Sequence, residues 1–111
     1  MECTSRKMDK AVVIQVTGRM DAVTAPDFDA ACGAWIDQGE TRLVVDLTAL
    51  DYISSAGLRS FLVVGKRLKG SGGTLALSGL DGMVREVFDL SGFAALFPVH
   101  PCPETALEAL G

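Results

Sequence analysis

Two adjacent hydroxyls, Ser54 and Ser55, stand near the middle of the chain inside Asp51-Tyr52-Ile53-Ser54-Ser55-Ala56-Gly57-Leu58. They follow the apolar run Leu43-Val44-Val45-Asp46-Leu47, where a buried strand is expected to hand over to a helix. Three roles suit a serine in such a place: a helix N-cap, a nucleophile on a strand-to-helix turn, or a hydroxyl that another protein modifies. A nucleophile needs a positioned base to take its proton. The only histidine, His100, lies between two prolines in Pro98-Val99-His100-Pro101 and reads as a surface residue, and no GxSxG pattern is present. A cap accounts for one hydroxyl. The other, with Ala56 and Gly57 beside it, leaves a small uncluttered surface at the carboxyl end of a central strand, where open α/β sheets place ligands and partners.

No other stretch offers stronger chemistry. Gly70-Ser71-Gly72-Gly73 and Ser91-Gly92 match neither GxxxxGK[ST] nor GxGxxG, so they read as helix stops and turns. One histidine and scattered carboxylates give no metal-ligand spacing. Cys3, Cys32 and Cys102 fall outside any CxxC pattern and read as plain thiols, with Cys32 on an apolar helical stripe that packs in the core. No cofactor is expected.

The elements that must position the serines follow from apolar periodicity. Residues 11–18 are β-branched with partial alternation and predict a strand. Residues 2–8 form a weaker strand before it, joined by a turn at Met8-Asp9-Lys10. Thr24 is placed to cap a helix with Pro26 in its first turn and Asp27 three residues after the cap. Phe28, Ala31, Cys32, Trp35 and Ile36 share one face of that helix, which Gly39 stops. Arg42 to Leu47 predicts a central strand covered on both faces.

From Leu58 onward, Leu58, Phe61, Leu62, Gly65 and Leu68 share a face. Arg59, Ser60, Lys66, Arg67 and Lys69 lie mostly on the others, which predicts an amphipathic helix of about four turns. A strand at 74–78, a helix around Met83 to Leu90, a short strand near Phe97 to His100 and a last helix opened by Pro103 complete the chain. Strands alternating with crossover helices predict an α/β layer with parallel pairs.

Composition narrows the function. The 111 residues fit a single domain, 1–111, around one core. With 49% hydrophobic and 22% charged residues the chain belongs with folded globular domains. Ten basic against fourteen acidic side chains, without a Lys/Arg block, argue against a nucleic-acid footprint. No apolar run approaches the roughly 18 residues of a membrane span, and the opening MECTSRKMDK lacks a signal-peptide core, so the expected location is the cytoplasm.

Three segments carry a family resemblance: GRMDAVTA at 18–25, VVDLTALDYISSAGLRSFL at 44–62 and VREVFDLSGFAALFPVHP at 84–101. In this order and at these separations they resemble the STAS domain family of sulfate-transporter cytoplasmic domains and anti-sigma factor antagonists, over essentially the whole chain. The resemblance implies a mixed sheet of four to five strands with about four helices packed mainly on one face, in place of a doubly wound layer. It also implies a non-enzymatic anti-sigma factor antagonist. Its unphosphorylated form would bind an anti-sigma factor serine kinase and free the sigma factor. Phosphorylation at the position of Ser55 would end binding, and a serine phosphatase would reset it. Asp21, Ser54, Ser55, Ala56 and Gly57 fall on the implied partner surface, Ser54 stands where the family often has aspartate, and Thr24 matches a structural polar residue. The alternative within the family is a non-phosphorylated scaffold or binding subunit of a signalling complex or a lipid ABC-transport system.

Overall fold

The computed structural model describes residues 1–110. In chain order the elements are β1 (Glu2–Met8), β2 (Ala11–Met20), α1 (Ala25–Asp37), β3 (Arg42–Asp46), β4 (Leu50–Ile53), α2 (Ser55–Gly70), β5 (Thr74–Ser78), α3 (Gly82–Leu90), β6 (Val99–His100) and α4 (Pro103–Leu110). One turn of 3-10 helix, Phe93–Leu96, lies between α3 and β6.

β1 and β2 form the expected antiparallel hairpin, with Met8 opposite Ala11 and Asp9-Lys10 as its turn. Asp9 takes the left-handed φ of 53°, which a short polar side chain tolerates. All other strand pairs are parallel, in the order β1-β2-β3-β5-β6, with β4 paired to the far end of β2. The sheet is therefore mixed, as expected, but has six strands among the described residues where four to five were expected. The additional strand is β4. Gly18, at φ 93°, sits where the β2–β4 register shifts, and its amide donates to the Ala49 carbonyl at 3.0 Å. This irregularity lets β2 pair with β3 along its first half and with β4 along its second.

The core follows from the side-chain alternation of the strands. Val12, Ile14 and Val16 of β2 and Leu43 and Val45 of β3 face α1, α2 and α3 in one large cluster. Phe28, Phe61 and Phe88, one from each of these helices, meet at its centre, with ring centroids 4.8 and 5.4 Å apart. Such tilted and edge-on pairs stabilise beyond their area alone. Val13, Val44 and Ala76 point to the opposite face, where Ala106 of α4 covers them. Three helices thus line one face and the short α4 the other, which buries β3 on both sides. Cys32 is fully buried, and burial pushes its thiol pKa up. All three cysteines are free thiols.

Two expectations for α2 change. Ser60, assigned to the polar side, is buried at 4% exposure, and its hydroxyl turns back to the Ala56 carbonyl at 3.5 Å. Val64 takes the core position between Phe61 and Leu68, while Leu62 is only half-buried. The buried stripe of α2 is wide because the helix packs against both the sheet and α1.

Candidate functional site

β2 and β4 end side by side at the paired residues Met20 and Ile53. The Ser54 amide donates to the Met20 carbonyl at 2.9 Å, which ties the start of α2 to the end of β2. Ser54 is extended, at φ −93° and ψ 175°, and its Oγ accepts from the Gly57 amide at 3.3 Å. Its carbonyl accepts from the Leu58 amide at 3.0 Å. Ser54 is therefore the N-cap, with its hydroxyl engaged. Ser55 occupies the first helical position, exposed, and its hydroxyl has no hydrogen-bond partner among the described residues.

Gly57 lies beneath this surface rather than on it. A Cβ there would come within 2.7 Å of Ile53 Cγ1, 3.0 Å of Met20 Cγ and 3.2 Å of the Met20 carbonyl. Its missing side chain lets α2 approach the paired strand ends. Gly57→Val is expected to destabilise the fold by about 2–3 kcal/mol through overpacking, read as a lower urea midpoint. An unchanged midpoint would show that the close approach is not required.

Asp21 begins the loop from β2 to α1. Its Oδ1 accepts from the amides of Val23 and Thr24 at 3.0 and 3.1 Å. The Thr24 hydroxyl accepts from the Asp21 amide at 2.9 Å and turns its own proton toward the Arg19 carbonyl at 3.0 Å and Asp21 Oδ1 at 3.2 Å. The Thr24 amide, foremost among these contacts, holds the Asp21 carboxyl below the usual carboxylate range. Thr24 is structural, as expected, but through this loop: it stands at the cap position of α1 and makes no side-chain cap bond.

Between the first turns of α1 and α2 runs an open groove of about 380 Å³. Ser55, Ala56, Arg59 and Val63 form its α2 wall, and Pro26 and Asp29 stand on the α1 side. Val63 is 53% exposed, and Val23 on the adjacent loop is 84% exposed. Asp29 Oδ1 is buried without a hydrogen-bond partner. The geometry gathers the predicted residues at one corner of the molecule but divides their roles. Ser55 and Ala56 open to the groove, Ser54 is committed to the cap, Asp21 to its turn, and Gly57 to the contact below. Sequence reasoning missed Asp29, Arg59 and Val63. Val63, an apolar residue off the buried stripe of α2, is a signal it could have used.

His100 is not brought to the serines. It lies on β6, separated from β2 by β5 and β3, whereas Ser55 follows β4, which pairs with the far end of β2 itself. No cluster of His, Cys, Asp and Glu able to hold a metal ion occurs among the described residues, and none of their helices is long and apolar enough to cross a membrane. The larger hollow, about 410 Å³, lies further along α2 beside Leu62, Lys66, Leu75 and Phe97, and contains none of the predicted site residues.

Fold and site together define a small α/β domain that presents one unengaged serine hydroxyl beside an open groove. The chain belongs to the STAS domain family, whose model matches residues 3–106. It is 43% identical over 109 residues to BtrV of Bordetella bronchiseptica, provisionally named an anti-sigma factor antagonist, covering 98% of this chain and 94% of that protein. RsfA of Mycobacterium tuberculosis, named an anti-sigma-F factor antagonist, is 29% identical over 112 residues, covering 98% and 87% of the two chains. The crystal structure of an anti-sigma factor antagonist from Mycobacterium paratuberculosis matches with a TM-score of 0.89 at 28% identity, over 98% of this chain and 92% of that one.

Proposed function

We propose that this protein is an anti-sigma factor antagonist switched at Ser55. Unphosphorylated, it docks through the groove corner onto an anti-sigma factor that is also a serine kinase, and the bound sigma factor is released. The kinase then transfers the γ-phosphoryl group of ATP to Ser55. The Oγ–P bond forms, the bond to the β-phosphate oxygen breaks, ADP leaves and the hydroxyl proton passes to the kinase. A serine phosphatase hydrolyses the phosphate and restores the binding form.

The observation that carries this reading is the division of labour between the two serines. Ser54 caps the helix through the Gly57 amide, while the exposed Ser55 hydroxyl is unengaged. The names of the Bordetella and Mycobacterium relatives support the antagonist role. A phosphate at the first position of α2 meets the positive end of the helix dipole, so the fold tolerates it. At a docking surface the same dianion must give up its water, which opposes binding.

Incubating the protein with purified anti-sigma factor kinases from its own cell and ATP, then mapping the modified residue by mass spectrometry, tests the proposal. Phosphate is expected on Ser55 alone. Phosphate on Ser54, or none on either serine, would overturn it.

A further inference from the structure

We propose that Arg59 receives the phosphate placed on Ser55, forming an ion pair within α2 that changes the charge of the groove twice in one modification. The proposal rests on Ser55 being the modified residue. Helix α2 carries Arg59, Lys66, Arg67 and Lys69 and no carboxylate. Among the described residues, ion pairs join Lys7 to Glu40, Arg67 to Asp37 and Arg85 to Asp89, and Arg59 enters none of them. It stands exposed and uncompensated in the same groove as Ser55.

Ser55 and Arg59 stand four positions apart, which places the side chains one above the other on the helix surface. An anion one turn N-terminal to a cation is the favourable order for such a pair. The guanidinium fork offers parallel N–H donors that match two phosphate oxygens, which a lysine cannot do with the same geometry.

The remaining charges around the groove favour this pairing over others. From α1, Asp29 lines the groove, and its carboxylate, whose buried Oδ1 has no donor, repels a phosphate toward the α2 wall. Asp21 is committed to its loop turn. Arg19 is held over the Tyr52 ring, 4.2 Å from its centroid, on the adjacent strands. Arg59 is thus the one cation lining the groove among the described residues.

The consequence is a double change of surface charge. Phosphorylation adds about −1.5 to −2 charge and at the same time occupies the one cation that lines the groove among the described residues.

The test needs neither kinase nor partner. Phosphoserine is inserted at position 55 during translation, and its second ionisation is followed by phosphorus NMR across pH 4 to 8. In the Arg59→Ala background the titration midpoint should lie about half a pH unit above that of the parent phosphoprotein, the size expected of an exposed ion pair. Arg59→Lys should restore part of the difference, because it keeps the charge without the fork. Asp29→Asn should lower the midpoint below the parent value. Circular dichroism on each variant separates a lost pair from a lost fold. If a folded Arg59→Ala phosphoprotein titrates with the parent, the pair does not form and the proposal falls, while the kinase mapping of Ser55 is untouched. If instead the kinase fails to label Ser55, the switch is wrong whatever the titration shows.

Discussion

Ser55→Asp is expected to weaken binding to the anti-sigma factor at least tenfold while leaving the melting temperature equal to or slightly above that of the parent. Both halves follow from where the hydroxyl sits. Ser55 is the first residue of α2, and that helix has no acidic residue in its first turn and basic residues, Arg67 and Lys69, in its last. A carboxylate at position 55 therefore meets an uncompensated positive helix end, worth about 0.3–1 kcal/mol at an exposed site. Titration calorimetry against the purified partner should show the opposite sign for binding. A carboxylate desolvated at the interface costs several kcal/mol in order of magnitude, and about 1.4 kcal/mol already accounts for tenfold. Ser55→Ala should bind like the parent and accept no phosphate. An aspartate variant that binds normally, or one that loses binding only because it has unfolded, would sink the interface account.

The largest stability effect is expected at Phe61. Its ring is fully buried and touches both Phe28 and Phe88, so it joins α1, α2 and α3 at one point. Phe61→Ala should lose about 3–5 kcal/mol, because the cavity left behind cannot be filled from three separate helices at once. Against a total of roughly 5–15 kcal/mol for a domain, that is a large share. Urea denaturation should show a much lower midpoint at an unchanged slope, and a loss below about 1 kcal/mol would mean that the neighbouring helices collapse onto the site. The variant should also weaken partner binding on warming, since α2 carries Ser55, Arg59 and Val63 together.

Much of the architecture was legible because its signals are local. The hairpin, the stripe of α1 from Phe28 to Ile36, the stop at Gly39 and the helix opened by Pro103 each depend on residues within one or two turns. β4 was not legible, since four residues carry little periodicity and its partner is the extension of β2 beyond Gly18. Gly18 reads in the sequence as the end of the strand, and its left-handed φ, which lets β2 continue in a new register, is visible only in the fold. The site divides in the same way. The corner could be found from Ser54, Ser55 and Gly57, and the family resemblance told apart two hydroxyls that the local pattern left equivalent; the backbone at Ser54 adds which one caps the helix. Asp29 and Arg59 come together only through the packing of α1 on α2, which no single-helix pattern contains.

The cap at Ser54 has one further consequence, for the kind of enzyme that can use Ser55. Protein substrates are often modified on slack segments that the enzyme must straighten, at about 1–2 kcal/mol of backbone entropy per residue ordered. Here the backbone is already fixed by the Ser54 to Gly57 and Ser54 to Met20 bonds, so that entropic charge is absent. Two rigid surfaces then need only find their mutual orientation. Under the proposed switch the recognition unit is the folded domain, and residues 51–58 cut out as a peptide are expected to be a poor substrate.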